Sequence, residues 1–279
     1  MAAPKRILIV DDDPDIHLLL GKALADTGVE LGSALDGVEG LSRIENEAWD
    51  LILTDVIMPG LDGLALLELV RALRTSLRVV VMTVDSTAEK IISAIREHAF
   101  SWLSKPFTLE AVREAVEEAL QADRDDDIEV LSASPRWLEV RLRCRLRTAA
   151  RILNFVREME TGLPAADREN VGTAFREILT NAIEHGGRND PNSSVSVTYI
   201  RAEHALLYSV RDPGDGFSFA RLEHAAVSNS PAAPLAHAEL REQRGMRPGG
   251  FGILMTRALV DEMIYNEKGN EVLLIKYLR

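Results

Sequence analysis

Short apolar runs alternate with helical patterns in the first half of the chain. An apolar run bounded by turn residues predicts a buried parallel strand, because both faces of such a strand are covered. The predicted strands are residues 7–10, 51–53, 79–82 and 100–103, and the predicted helices are residues 16–25, 64–73, 89–97 and 109–120. Ser86 and Thr87 are cap candidates for the helix at 89–97. This alternation favours five βα units and predicts an α/β fold with a doubly wound, five-stranded parallel sheet.

The second half of the chain has a different order of elements. Residues 137–146 alternate between apolar residues and arginines, which is typical of an antiparallel strand with one solvated face. The other predicted elements are strand 128–131, a turn at 132–135, helices 149–160 and 167–185, a hairpin of 195–202 and 205–211, helix 251–263, and a hairpin of 263–267 and 271–278. Helices and antiparallel strands in separate runs predict an α/β two-layer sandwich.

A polar stretch separates the two patterns. Residues 123–127 contain four aspartates and an arginine and no apolar anchor, which is typical of a domain boundary. We therefore predict a first domain at 1–122, a linker at 123–127 and a second domain at 128–279. Residues 217–248 are long and irregular, and such a loop inside a compact domain is usually functional.

Composition narrows the classes of function. Hydrophobic residues make up 46% of the chain and charged residues 27%, as in a globular protein. The formal net charge of −12 disfavours direct DNA binding, because DNA phosphates attract clustered Lys and Arg. The single cysteine, Cys144, excludes a disulfide framework. No apolar run approaches the ~18 residues of a membrane span and no signal peptide precedes the first strand, so we expect a cytoplasmic location without membrane association.

The predicted parallel strands end in residues of related chemistry. Asp11 and Asp12 follow the first strand, Asp55 and Thr83 end two others, and Lys105 follows the last. Ligands bind at the carboxyl ends of the strands in open parallel sheets, so we expect these side chains to converge. Three close carboxylates repel one another, and a hard cation such as Mg²⁺, together with Lys105, would offset their charge. A lone aspartate at such a strand end is usually a surface charge, but five polar residues in this order at the ends of the strands favour a site.

A carboxylate in such a cluster can attack phosphorus and form an aspartyl phosphate. Mg²⁺ and Lys105 would neutralise the phosphoryl oxygens as charge develops, and Thr83 could donate a hydrogen bond to the new phosphoryl group.

Residues 5–122 resemble the receiver domain of bacterial response regulators, which has a flavodoxin-like fold. The resemblance is carried by VDDD at 10–13, TDVIMPGLDG at 54–63, MT at 82–83 and WLSKPF at 102–107. It implies that Asp55 is the phosphoacceptor, with a sensor histidine kinase or a phosphotransfer protein as donor. It also implies that Asp12 binds Mg²⁺ directly, that Asp11 binds it through water, and that the Ile57 carbonyl is a further ligand.

The same resemblance makes Thr83 and Trp102 a switch pair. Trp102 occupies a position more often held by Tyr or Phe, and Val84 one where a smaller residue is commoner. We hypothesise that Val84 narrows access to Asp55 and slows dephosphorylation by water.

Three segments of the second half carry residues suited to nucleotide binding. Glu177 and Asn181 are four residues apart and share one face of a predicted helix. An Asn carbonyl is a good Mg²⁺ ligand beside phosphates, and Glu177 could polarise an attacking water or hydroxyl. Asp212 can accept a hydrogen bond from an exocyclic amine such as that of adenine. The glycines that would let the backbone approach the base or the phosphates are Gly214, Gly216, Gly249, Gly250 and Gly252.

Each of these three segments is common in proteins on its own. Because all three occur in this order, residues 128–279 resemble the Bergerat-type ATPase domain shared by histidine kinases, gyrase and Hsp90. The similarity is greatest to the anti-sigma-factor serine kinase branch. It is carried by FREILTNAIEHG at 175–186, DPGDGF at 212–217 and the run 249–277. It implies an ATP site in which Asn181 holds Mg²⁺, Asp212 holds adenine and Glu177 is the general base, with residues 217–248 as a lid. His185, at the helix end, is interpreted as structural.

Two alternative functions of the second domain remain open. The first is an enzyme, an ATPase or a serine/threonine kinase acting on a downstream protein such as an anti-sigma-factor antagonist. The second is a nucleotide-dependent binding module that sequesters a partner, such as a sigma factor, without turnover. A self-phosphorylating histidine kinase is disfavoured, since no helical segment with a phosphoacceptor histidine precedes the ATPase pattern. The face formed by residues 96–102 and 109–120 is predicted to contact the ATPase domain or a second receiver, and a homodimer is expected from the resemblance.

Overall fold

The computed structural model describes residues 3–73, 77–122, 127–159, 161–216 and 252–278. The chain separates into two compact units, Met1–Asp126 with Glu158–Glu160, and Asp127–Arg157 with Thr161–Arg279. Each unit is built around a sheet of its own. Among the described helices, none is both long enough and apolar enough to cross a membrane.

The first unit contains a five-stranded sheet in the order β2-β1-β3-β4-β5, with all neighbours parallel. The strands are β1 Arg6–Val10, β2 Glu30–Ala34, β3 Leu51–Asp55, β4 Arg78–Thr83 and β5 Ser101–Ser104. The helices are α1 Pro14–Leu24, α2 Gly37–Asn46, α3 Gly63–Leu73, α4 Ala88–Arg96 and α5 Leu109–Gln121. The predicted doubly wound parallel sheet is confirmed. Apolar residues of β1, β3 and β4 pack against α1 and α5 in one core.

The strand β2 and the helix α2 were not located by the sequence pattern. In β2 only Ala34 is buried, because this strand lies at the edge of the sheet and presents mostly polar or exposed positions. In α2 glycines occupy two of the three buried positions, so the apolar periodicity is weak. The Asp36 side chain accepts a hydrogen bond from the Glu39 amide (2.8 Å) and marks the start of α2.

Two helix starts differ in how they are capped. Thr108 caps α5, since its Oγ1 accepts from the Ala111 amide at 3.1 Å. Ser86 and Thr87 were cap candidates for α4, and this prediction is wrong for their side chains. Thr87 stands at the N-cap position without a side-chain cap bond, and the Ser86 hydroxyl is engaged with the Trp102 indole.

The second unit contains a six-stranded sheet in the order β10-β11-β9-β8-β7-β6, with all neighbours antiparallel. The strands are β6 Ile128–Ser134, β7 Trp137–Arg143, β8 Ser194–Arg201, β9 Ala205–Arg211, β10 Glu262–Tyr265 and β11 Glu271–Tyr277. The helices are α6 Leu146–Glu158, α7 Ala165–Asn181 with a π-helical turn at Ala182–Gly186, and α8 Gly252–Leu259. The predicted α/β sandwich is confirmed. The Phe175 ring on α7 packs 5.5 Å from that of Tyr208 on β9, measured between centroids.

Several predicted boundaries in this unit are wrong, and hydrogen bonds or strand pairing explain three of them. The strand predicted at 137–146 ends at Arg143, because the Arg145 amide bonds to the Arg143 carbonyl (2.7 Å) and turns the chain into α6. The turn predicted at 132–135 begins later, because β6 continues to Ser134 after a shift of register. The helix predicted at 251–263 ends at Leu259, because the Asp261 amide donates to Ile275 and joins the chain to the sheet.

The arginines of the 137–147 segment have partners within their own unit. Arg141 pairs with Glu129 on β6, with Nη1 and Oε2 2.8 Å apart. Arg145 and Arg147 both lie 3.2 Å from the carboxylate of Asp127. Asp127 is only 5% exposed and belongs to the second unit, although it was predicted as the end of the linker.

Candidate functional site

Three carboxylates meet at the carboxyl edge of the parallel sheet. Asp11 and Asp12 follow β1, and Asp55 is the last residue of β3. One carboxylate oxygen from each lies within 4.8 Å of the others. Asp11 and Asp55 are buried and Asp12 is exposed, so solvent reaches the cluster beside Asp12. Oxygen ligands at this spacing suit a hard divalent cation such as Mg²⁺.

Lys105 lies between the two buried carboxylates. Its Nζ is 2.7 Å from Asp11 Oδ2 and 2.9 Å from Asp55 Oδ2. The lysine side chain is itself only 12% exposed. One ammonium group offsets only part of the charge of three carboxylates, so the donor set fits a further cation.

The electrostatics of the cluster follow from its burial. Burial raises the pKa of Asp11 above its ordinary value, although hydrogen bonds from Lys105 and from the Asp13 amide oppose this effect. Burial also acts to lower the pKa of Lys105, but its hydrogen bonds to Asp11 and Asp55 raise that pKa overall. Lys105 is therefore positively charged at neutral pH.

The two oxygens of Asp55 have different partners. The Val56 amide donates to Oδ1 at 2.7 Å, while Oδ2 takes the bond from Lys105. The residue is 7% exposed. The Asp55 carboxylate is thus held at the sheet edge by main chain on one side and by a cation on the other.

Thr83 and Trp102 lie on neighbouring strands, and both are fully buried. The Oγ1 atom of Thr83 accepts a hydrogen bond from the Asp85 amide at 3.1 Å. The indole Nε1 of Trp102 donates to Ser86 Oγ at 3.1 Å, and that hydroxyl also bonds to Ser104. Sequence reasoning missed Ser86 as the residue that holds Trp102 inside, because the sequence shows it only as a cap candidate.

Two exposed aliphatic residues follow β3 and β4. Ile57, after β3, is 49% exposed, and Val84, after β4, is 70% exposed. Neither side chain is part of the packed core.

In the second unit, Glu177 and Asn181 lie on one face of α7, as their spacing predicts. Asn181 Nδ2 donates to Glu177 Oε1 at 3.1 Å. Gly252, the first residue of α8, packs against the same carboxylate, so closely that a Cβ there would lie 1.8 Å from Oε1. The structure thus brings residues of two distant segments together.

Asp212 follows β9 and packs against the π-helical turn. A Cβ on Gly186 would lie 2.3 Å from Asp212 Oδ1, so only glycine allows this approach. The Gly214 amide donates to that Oδ1 atom at 2.8 Å. Burial raises the pKa of Asp212 above its ordinary value, against the hydrogen bond from Gly214.

The turn between β10 and β11 holds the Asp212 loop. The Asp212 amide donates to the Asn270 carbonyl at 2.9 Å, and Asn270 Nδ2 donates to the Asp212 carbonyl at 3.0 Å. Lys268 Nζ donates to the Gly214 carbonyl at 2.9 Å, and Gly216 packs against the Lys268 backbone. Sequence reasoning assigned no role to Asn270 or Lys268, because the turn residues around Gly269 carry no signal of a partner in another segment.

Other candidate residues of this site are His185, Gly249 and Gly250. His185 is exposed and lies in the π-helical turn. Gly249, Gly250 and the predicted lid at 217–248 lie outside the described residues.

Two protein families match the chain. The response regulator receiver domain matches residues 7–117, and the histidine kinase-like ATPase domain matches residues 138–276. The chain is a response regulator receiver domain followed by a histidine kinase-like ATPase domain. The acidic cluster with Lys105 therefore belongs to the receiver domain, and the Glu177 and Asp212 segments to the ATPase domain.

Curated relatives match parts of this receiver–ATPase chain. The DNA-binding transcriptional regulator NtrC of Escherichia coli (strain K12) is 36% identical over 114 residues, which is 41% of this chain and 24% of NtrC. The regulatory protein GlrR of the same organism is 29% identical over 211 residues, 74% of this chain and 45% of GlrR. The chain thus matches less than half of the length of these relatives.

Solved structures are similar over a comparable share of the chain. A CheY-like receiver domain protein from Methanospirillum hungatei is 33% identical, with a TM-score of 0.41, over 42% of this chain and 94% of that chain. NtrX from Brucella abortus in complex with ADP is 35% identical, with a TM-score of 0.40, over 43% of this chain and 27% of NtrX.

Proposed function

We propose that Asp55 accepts a phosphoryl group and that its phosphorylation controls ATP use by the second domain. The proposal that Asp55 is the phosphoacceptor rests on the position of Lys105, whose ammonium group bridges the buried Asp11 and Asp55 carboxylates beside the exposed Asp12. An Asp55 oxygen would attack the phosphorus of a phosphohistidine, in a sensor histidine kinase or a phosphotransfer protein, while the phosphorus–nitrogen bond breaks. Lys105 would stabilise the charge on the transferring oxygens.

Asp11, Asp12, Asp55 and the Ile57 carbonyl are the proposed ligands of Mg²⁺ in the receiver domain. Mg²⁺, when bound, would supply positive charge beside the phosphoryl oxygens. The exposed Asp12 fits a direct ligand, whereas Asp11, held by Lys105, fits a ligand that acts through water. Thr83 would donate a hydrogen bond to the phosphoryl group, and its change of position would alter that of Trp102 on the neighbouring strand.

The proposed activity of the second domain is that of a Mg²⁺-dependent ATPase or a serine/threonine protein kinase. Asn181 would hold Mg²⁺, Asp212 would accept the adenine amine, and Glu177 would be the general base. The observation that supports turnover is the pairing of Glu177 with Asn181, directly beside the start of α8. The proposed downstream partner is a protein substrate, such as an antagonist of an anti-sigma factor.

The variant Glu177→Gln separates turnover from binding. It keeps the size of the side chain and removes its basicity, so phosphate release is expected to fall by about a hundredfold or more while ATP affinity is retained. Phosphate release and ATP binding by the full chain are measured with Mg²⁺. The exposed Glu169→Gln on the same helix is the matched control and is expected to behave as the unmodified protein.

The opposite result identifies the alternative function. ATP binding without phosphate release or transfer in the unmodified protein would indicate a nucleotide-dependent module that sequesters a partner. Equal turnover in Glu177→Gln and the unmodified protein would remove Glu177 from the proposed mechanism.

A further inference from the structure

His17 connects three parts of the receiver domain. From α1, its Nε2 lies 2.8 Å from the carbonyl oxygen of Asp11, and its Nδ1 lies 3.1 Å from Ser33 Oγ in β2. A carbonyl oxygen only accepts, so Nε2 carries a proton and donates to Asp11, while Nδ1 makes a second hydrogen bond, with the Ser33 hydroxyl. The ring is held on both sides, with its N–H directed at Asp11.

The carbonyl of Asp11 lies where the pairing of β1 with β3 has ended. The register of these strands runs to Val10 opposite Thr54. The Asp11 amide still donates to the Ala34 carbonyl of β2 at 3.1 Å. A buried carbonyl group past the last residue pair of two strands needs a hydrogen-bond donor outside the neighbouring strand, because leaving it without one costs free energy. His17 supplies that donor.

The orientation of this carbonyl affects two residues of the acidic cluster. The Asp11 carbonyl and the Asp12 amide belong to one planar peptide group, so fixing one fixes the other. The Asp11 carboxylate is also held by Lys105 and by the Asp13 amide at 3.0 Å. The exposed Asp12 carboxylate therefore depends more on the backbone for its direction.

We propose that His17 is a positioning residue for the cation site of the receiver domain. Its N–H holds the Asp11–Asp12 peptide group so that the Asp12 carboxylate stays beside those of Asp11 and Asp55. The inference rests on the proposed Mg²⁺ site and adds to it a residue from α1 that offers no ligand atom to the cation. Its effect is on the affinity for Mg²⁺ and is independent of phosphorylation.

Calorimetric titration of the full chain with Mg²⁺ tests this role in four variants. His17→Phe keeps a ring and removes the N–H, and is expected to weaken Mg²⁺ binding roughly threefold to tenfold, as for a lost hydrogen bond. His17→Gln keeps an N–H close to the place of Nε2 and is expected to restore the affinity to within about twofold. Leu18→Ala, at the neighbouring exposed position, is the matched control and is expected to bind as the unmodified chain. Asp12→Asn removes a proposed ligand and is expected to abolish measurable binding.

The outcomes separate the inference from the proposal on which it rests. If the unmodified chain binds no Mg²⁺, or Asp12→Asn binds it equally well, the proposed cation site is overturned. If the unmodified chain binds Mg²⁺ and Asp12→Asn does not, but His17→Phe binds Mg²⁺ as tightly as the unmodified chain, the positioning role of His17 is overturned. Equal weakening in His17→Phe and His17→Gln also overturns it, because the N–H would then not be the cause.

A milder variant covers the case in which His17→Phe does not fold. Ser33→Ala releases Nδ1 and leaves the N–H of His17 in place. It is expected to weaken Mg²⁺ binding about twofold, since the ring is then less well held. Unchanged affinity in Ser33→Ala would in that case overturn the role of the ring.

Discussion

Gly252 lies so close to Glu177 that a Cβ on the glycine would stand 1.8 Å from the Glu177 Oε1 atom. Glu177 belongs to α7 and Gly252 begins α8. The contact brings the proposed general base to a helix start, where free amide groups attract phosphates. Asn181 holds the same oxygen through its Nδ2 atom. The position of Glu177 thus depends on a side chain one turn away and on a glycine in a distant segment.

The variant Gly252→Ala is expected to lower ATP hydrolysis at least about tenfold, because Glu177 must move to admit the methyl group and a small displacement of a catalytic group is costly. Steady-state phosphate release measures this effect, and the affinity for ATP is expected to change less than the rate. The control is Met255→Ala, at a position of α8 that is 51% exposed. Full activity in Gly252→Ala would contradict the proposed role of Glu177.

Removal of Lys105 leaves two buried carboxylates without their shared cation. Lys105→Met is expected to lower the free energy of unfolding by about 3 kcal/mol without Mg²⁺. Saturating Mg²⁺ is expected to recover part of that loss, because it supplies the missing positive charge. Urea unfolding with and without Mg²⁺ measures both effects. Lys90→Met, which removes a surface pair with Asp85, is the control and is expected to cost about 1 kcal/mol or less. An equal loss with and without Mg²⁺ would argue against a cation beside Lys105.

The raised pKa of Asp11 gives a dependence of stability on pH. The folded protein holds the Asp11 proton more tightly than the unfolded chain does. The contribution of Asp11 to stability is therefore complete below the pKa of the unfolded chain and is lost as pH rises through the folded pKa. At neutral pH without Mg²⁺, Asp11→Asn is expected to raise the free energy of unfolding, because it removes a buried charge.

The control for this effect is the same comparison in acid, at about pH 3, where the carboxyl is protonated in both states and the gain is expected to vanish. Unfolding curves of both proteins at the two pH values measure it. A metal-free Asp11→Asn protein that is less stable than the unmodified one at neutral pH would show that the bond to Lys105 outweighs the cost of burial.

Asp212 is expected to select adenine through its exocyclic amine. Asp212→Asn should weaken ATP binding at least about tenfold. The single carbonyl oxygen of Asn would accept from the Gly214 amide, as Oδ1 of Asp212 does, and the NH₂ group of Asn would then face the adenine amine, donor against donor. Binding of a purine nucleotide that lacks the 6-amino group should be nearly unaffected. Asp215→Asn, an exposed position in the same loop, is the control. An equal loss for both nucleotides would assign Asp212 to the shape of the loop instead.

Much of the fold was predictable from the sequence, for reasons visible in particular elements. In β3 every residue is buried, and its first three residues, Leu51, Ile52 and Leu53, form an apolar run shortly before Asp55. In β2 a single buried residue leaves no such pattern. The end of β7 was placed too late, because the alternation of apolar residues and arginines continues past the turn at Cys144.

The residues that support the sites were harder to predict than the residues that form them. Asp11, Asp55 and Lys105 follow strands in a fixed order, so a parallel sheet brings them to one edge. The bonds from His17 to Asp11 and from Asn270 to Asp212 join side chains to backbone atoms. Such bonds leave no periodic pattern in the sequence and appear only with the three-dimensional arrangement.

Control of the ATPase domain by the receiver domain is tested most directly by ATP hydrolysis of the full chain with Mg²⁺, with and without beryllofluoride as a mimic of phosphorylated Asp55. The rate is expected to change severalfold with the mimic in the unmodified protein and to stay constant in Asp55→Ala. A rate that is the same with and without the mimic in the unmodified protein would contradict control of ATP use through Asp55.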